Sequence, residues 1–149
     1  MRIALIYPPF GNIENQPNIK AVADNYGLFP PLSLAYVAGI LQHAGHKVKL
    51  IDANALRLSK QEVLKEVRDF NPDLLAFTIT TYLFYPVLKW AKYLKENTGL
   101  KVLIGGVHMG LYPKETLSHK EIDFGIIGSA RESLPLLVDA IENNKDFSN

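Results

Sequence analysis

Two hydrophobic periods alternate along this chain. Short runs of branched apolar residues, the pattern of buried strands, are separated by longer stretches whose apolar positions fall three or four apart, the pattern of helices. Arg2 to Tyr7 reads as a first strand, Lys47 to Ile51 as a second, Leu74 to Thr78 as a third and Val102 to Ile104 as a fourth. Phe124 to Ile127 reads as a fifth, ending at Gly128.

Between them, Leu34, Ala35, Val37, Ala38 and Leu41 form a broad apolar face, predicting a well-buried helix over Leu32 to His43 that ends at Gly45. Ser59-Lys60-Gln61-Glu62 is a capping box, followed by Val63, Val67 and Phe70 at helical spacing until Pro72 forbids continuation. A helix from about Tyr85 to Asn97 turns Val87, Leu88, Ala91 and Leu94 inward and Lys89, Lys92, Lys95 and Glu96 to water; Gly99 closes it. A short helix is expected between Pro113 and Ser118. In the last helix Leu134, Leu137, Val138 and Ile141 share a face. Ser129 and Ser133 both suit its cap, and Ser133 is preferred because it puts Pro135 in the first turn, where a missing N–H costs little.

Five strands alternating with five helices at crossover lengths imply an α/β fold: a Rossmann-like (flavodoxin-like) three-layer sandwich around a five-stranded parallel sheet with right-handed connections. The expected strand order is 2-1-3-4-5. One domain is expected over residues 1–143, with 144–149 reading as the start of a linker.

Composition narrows the class. The 149 residues are 48% apolar and 21% charged, near the globular average, so neither a disordered nor a fibrous class fits. The formal charge is +1, with basic residues scattered among acidic ones, which argues against a nucleic-acid surface. Without cysteine the chain by itself forms no disulfide, thiolate zinc site or iron–sulfur site. The amino terminus is too short an apolar run for a secretory signal, and Pro30, Pro31, Gly39 and two histidines interrupt the longest uncharged stretch, which is no membrane span. A cytoplasmic protein is the default expectation.

Ligands on open α/β sheets sit beyond the carboxyl ends of the strands. Here those ends carry Pro8, Pro9, Phe10 and Gly11, then Asp52, then Thr78, Ile79, Thr80 and Thr81, then Gly105, Gly106, Val107 and His108, and lastly Gly128. Small and hydroxylated residues combine close backbone approach with hydrogen-bonding groups, which suits a long polar ligand bearing phosphate. Each also has a structural reading. The glycines can be a tight turn, the threonines good strand formers, Asp52 a turn cap, and His108 a solvated loop histidine. Glu132 reads as a helix-start residue. The connection from Pro8 to Pro31 exceeds twenty residues, the length of a functional loop or a disordered one. No serine–histidine–acid ordering or metal-ligand spacing is convincing.

As an ordered set, these pieces resemble the cobalamin-binding domain that precedes the catalytic barrel in cobalamin-dependent radical SAM enzymes. Tyr7-Pro8-Pro9 resembles that family's first-strand exit, and the stretch Phe29 to Ala38, with Ser33, its Pro-Pro-Leu-Gly-Leu-Ala helix entry. Ala44 to Ala53 resembles its second strand with a terminal aspartate. Thr78-Ile79-Thr80-Thr81 stands at its Ser-x-Leu position, and Gly105-Gly106-Val107-His108 is similar to its Gly-Gly-Pro-His turn. Gly128 through Pro135, with Glu132, is similar to its Gly-Glu-Gly-Glu segment. The resemblance implies a cobalamin held along the strand ends, and a partner domain carrying a 4Fe-4S cluster and S-adenosylmethionine for methyl transfer or ring formation.

Two departures matter. The Asp-x-His-x-x-Gly motif, whose histidine ligates cobalt from below in methionine synthase-like domains, is absent, which implies a lower cobalt face without a histidine ligand. Ser129 and Arg131 stand where the family often has glutamates. The cysteine triad of the cluster is also missing, as expected if a radical SAM domain lies in a longer chain carboxyl-terminal to this one. An interaction domain of the same fold that no longer holds a corrin is the alternative. A flavodoxin-like module is disfavoured because Pro8 and Pro9 offer no N–H to a phosphate, and a receiver domain because the third strand ends in threonines rather than aspartate.

Overall fold

A computed structural model of the chain describes residues 1–9 and 29–145; Phe10, Gly11 and the rest of the 10–28 segment lie outside the described residues, as does the tail from 146. Five strands, β1 (Arg2–Tyr7), β2 (Lys47–Asp52), β3 (Leu74–Thr78), β4 (Lys101–Gly105) and β5 (Phe124–Gly125), form one parallel sheet in the order β2-β1-β3-β4-β5. Six helices are described: α1 (Leu32–His43), α2 (Lys60–Phe70), α3 (Phe84–Thr98), α4 (Val107–Leu111), α5 (Pro113–Ser118) and α6 (Ala130–Glu142). The expected three-layer, flavodoxin-like sandwich is therefore observed.

Strand alternation divides the interior in two. Ile3 and Leu5 of β1, Leu74 and Ala76 of β3 and Leu103 of β4 point to one face, where Leu34 and Leu41 of α1 meet Leu134 and Val138 of α6. Ala4, Ile6, Leu75, Phe77, Val102 and Ile104 point to the other, covered by α2, α3 and Met109 of α4. At the amino end of the sheet the Arg2 guanidinium donates to the Phe70 carbonyl (Nε–O 2.9 Å) and lies over the Phe70 ring, 4.5 Å from its centroid. The Arg2 N–H donates to Asp73 at 2.7 Å. These contacts fasten the start of β1 to the end of α2 and the start of β3.

Three expectations are corrected. α1 is not well buried: only Leu34 and Leu41 are enclosed, while Leu32, Ala35 and Tyr36 are exposed because the helix rests on its sheet face and on α6 along one narrow stripe. The expected helix at Pro113–Ser118 is observed, and a further five-residue helix at Val107–Leu111 precedes it. β5 shortens to two residues, although the ladder gains one further bond from Ile126 N–H to the Ile104 carbonyl at 2.9 Å. Finally, Ser129 caps α6, accepting from the Arg131 N–H at 3.3 Å, and Pro135 lies inside the helix. The earlier start brings Ala130 onto the core beside Leu134, and the residue whose carbonyl Pro135 leaves without an N–H, Arg131, is exposed.

Candidate functional site

Strand order locates the site. The chain leaves β1 for β2 on one side and then returns across it to β3, so the topological switch lies between the carboxyl ends of β1 and β3. Helix capping marks the same place. α2 and α6, which follow the two edge strands, have serine caps in Ser59 and Ser129. The helices that follow the central strands, α1, α3 and α4, have none: Pro31, Leu83 and Gly106 stand at their starts without a side-chain bond. No side chain caps these three starts; backbone carbonyls take one first-turn N–H of each, Leu32 bonding Pro30, Phe84 bonding Thr81 and His108 bonding Ile79, and the N–H groups that remain lie at the central rim.

The two glycines after β4 have different jobs. Gly106 has φ +112°, and a Cβ there would lie 2.5 Å from the Ile79 carbonyl oxygen, 2.8 Å from the Ile79 nitrogen and 2.9 Å from Thr78 Oγ1. Internal packing of β4 against β3 requires it. A Cβ on Gly105 would meet nothing within 4 Å, so that position borders open space at the rim. Gly128, with φ +78° and equally open surroundings, forms the turn into α6.

Asp52 ends β2 opposite Tyr7 in the parallel register. Its Oδ1 accepts from the Ala55 N–H at 2.9 Å and its carbonyl from the Leu56 N–H at 3.2 Å, so it caps the turn after β2. Partial burial, reinforced by the negative Asp52 nearby, holds the Tyr7 phenol above its ordinary range. Pro8 is buried and Pro9 half-buried, while Ser33 is exposed in the first turn of α1. Thr78 is half-buried against Gly106, and Thr80 and Thr81 are exposed in the turn before α3. Glu132 is exposed in the first turn of α6, favourable to the helix dipole there.

His108 corrects the expectation of a solvated loop histidine. It lies in α4 with 3% of its surface exposed, its ring 4.2 Å from that of Phe84 and 5.2 Å from that of Tyr112. Nδ1 is 3.2 Å from Thr81 Oγ1, and Nε2 is buried without a hydrogen-bond partner. Sequence reasoning missed this pairing because the Phe84 platform is 24 positions away; the aromatic at i+4, Tyr112, was the available signal. Of the other histidines, His119 packs edge-on against the same Phe84 ring, His46 Nδ1 meets the amino terminus at 3.2 Å, and His43 ends α1. Among the described residues no group of three or more potential ligands could hold a metal ion, and no helix is long and apolar enough to cross a membrane.

Residues 19–138 match the B12 binding domain family, and the chain belongs to it. Within that class it is similar to an uncharacterized methyltransferase of Pyrococcus horikoshii, 34% identical over 99% of this chain and 31% of the relative. It is also similar to the anaerobic magnesium-protoporphyrin IX monomethyl ester cyclase of a Synechocystis species, at 30% identity over 99% of this chain and 29% of the cyclase. The chain thus spans about a third of the length of these relatives. Its fold is shared with the radical S-adenosylmethionine methyltransferase TsrM of Kitasatospora setae, solved with cobalamin and a [4Fe-4S] cluster bound: TM-score 0.77 and 17% identity over 98% of this chain and 25% of TsrM.

Proposed function

We propose that this chain is the cobalamin-holding domain of a radical SAM enzyme of the methyltransferase or cyclase type. The observation that carries the reading is the family match over 19–138 falling on a rim with an open Gly105 and three helix starts without side-chain caps. Such a rim fits a ligand rich in phosphate and amide oxygens. Gly105, Thr80, Thr81 and Ser33 would line it, with Pro8, Pro9 and Gly128 shaping its margins. Asp52, Thr78 and Gly106 act through the backbone, and Glu132 through the start of α6. Phe10 and Gly11 remain candidates from the sequence alone.

Cobalamin supplies a cobalt centre able to carry a methyl group or exchange single electrons; this chain's residues hold and orient it. All four histidines of the sequence are described, and the one beside the rim, His108, buries its free nitrogen, which supports a lower cobalt face without a histidine ligand. The 4Fe-4S cluster and S-adenosylmethionine would belong to a partner domain of a longer chain, as the threefold length of the relatives suggests. Tyr82, Tyr85, Val107 and Leu111 are exposed near this edge and offer that domain an apolar surface. The same exposure favours a second reading, an interaction domain that no longer holds a corrin.

Gel filtration of the chain with hydroxocobalamin separates the two. Co-elution of corrin absorbance with protein, lost in Gly105→Val while the fold persists, is the expected result. A folded chain that retains no corrin favours the second reading.

A further inference from the structure

His108 is the one buried polar side chain whose hydrogen-bonding capacity is left incomplete among the described residues. An unmade hydrogen bond in the interior is costly, and its form decides how costly. A buried N–H without an acceptor is rarer in folded proteins than a lone pair without a donor. Two neutral tautomers are available to the ring. With the proton on Nε2, the ring would bury an orphan donor, and Thr81 would have to spend its hydroxyl proton on Nδ1. With the proton on Nδ1, the ring donates to Thr81 Oγ1 across the observed 3.2 Å, and only a lone pair is buried at Nε2.

The geometry points to the second tautomer, and with it to a role for His108 as a positioning residue that makes Thr81 a hydrogen-bond donor to the ligand on the rim. Thr81 is exposed in the turn between β3 and α3, and its oxygen is engaged from beneath by the ring. Its own proton is therefore turned away from the histidine, toward the open side. The partner of that proton is an acceptor oxygen on the ligand, a phosphate ester or a carboxamide carbonyl. Contact with the tilted Phe84 ring and the bond from His108 N–H to the Ile79 carbonyl at 3.3 Å hold the ring in place. His108 thus acts without touching the ligand.

This inference rests on the cobalamin reading, and the test separates the two. In the 149-residue chain labelled with 15N, long-range proton–nitrogen correlations report the tautomer of His108 directly; protonated Nδ1 is expected, and protonated Nε2 would overturn the assignment. In parallel, Thr81→Val, His108→Phe and the double variant are compared for hydroxocobalamin affinity and thermal stability. Loss of one hydrogen bond predicts a five- to tenfold weaker Kd, roughly, for Thr81→Val. The same loss is expected for His108→Phe, with no further loss in the double variant, and His108→Phe should melt no lower than the parent because it removes the unpaired nitrogen. A histidine that only fills space would give an additive double variant, or weaker affinity only with a lower melting temperature, and either result would refute the role. Cobinamide, which lacks the nucleotide tail, distinguishes the acceptors. If the Thr81→Val effect disappears with it, Thr81 meets the nucleotide tail; if the effect stays, Thr81 meets a corrin amide. A parent chain that binds neither corrin counts against the cobalamin reading, while the nitrogen spectrum still decides the direction of the Thr81 proton.

Discussion

Adjacent glycines at the end of β4 should respond in opposite ways to the smallest substitution. In Gly106→Ala, the new methyl group would lie 2.5 Å from a backbone oxygen and 2.8 Å from a backbone nitrogen of Ile79, well inside contact distance. Neither atom can move alone, since the Ile79 N–H donates to the Gly105 carbonyl at 2.8 Å and the Ile79 carbonyl accepts from His108. A positive φ adds about 1–2 kcal/mol for an L-residue. Displacing the β3 exit would add a similar amount or more, for a total of about 3–5 kcal/mol. That is a large share of the roughly 5–15 kcal/mol that holds an ordinary domain together. Gly105→Ala meets no atom and needs no special φ, so its effect should stay within about 1 kcal/mol of zero, on the stabilising side. Urea and thermal unfolding followed by circular dichroism measure both. At about 2–4 °C per kcal/mol for a chain of this size, Gly106→Ala should melt at least roughly 6 °C lower, and Gly105→Ala within a few degrees of the parent. If Gly106→Ala proves as stable as the parent, the close approach of β4 to β3 is wrong, and so is the division of labour between the two glycines.

Three further outcomes concern helix positions outside the proposed site. Gly39 lies mid-helix in α1 with nothing within 4 Å of an added Cβ, so Gly39→Ala should raise stability by about 1 kcal/mol in urea titrations; a loss would mean that the notch it leaves beside α6 is filled. Pro135→Ala should stabilise by roughly 1–3 kcal/mol by restoring a bond to the Arg131 carbonyl, whereas a neutral or destabilising result would return the helix start to Ser133. The Ser59 hydroxyl, and then its backbone N–H, hold the Glu62 carboxyl below its ordinary value of 4.5, so the stabilisation is present above that pH and lost as pH falls through the lowered value. The stability difference between the parent and Ser59→Ala should therefore shrink in melts taken progressively below pH 4.5; a constant difference would remove Glu62 from the capping box.

What the sequence made legible follows from how local each signal is. The capping box at Ser59, the spacing of Val63 and Val67, and the apolar face of α3 are written within one or two helical turns, and the structure repeats them. Strand order was reachable because four crossover-length connections leave few arrangements for a parallel sheet. Ser129 is not legible as the cap of α6 because the preference for proline in a first turn favours Ser133, whereas the packing of Ala130 that favours Ser129 is a contact with residues far away in sequence. His108 shows the same limit at the site itself. Five residues of helix are too few for a periodic pattern, and nothing near Val107 announces that Phe84 supplies a platform for the ring. The glycine pair could be recognised from sequence as a turn or a ligand wall, yet only the distances from Ile79 separate the two, assigning Gly106 to packing and leaving Gly105 to the rim. Local chemistry thus marks where a ligand can lie, and long-range packing decides which of the marked residues are free to meet it.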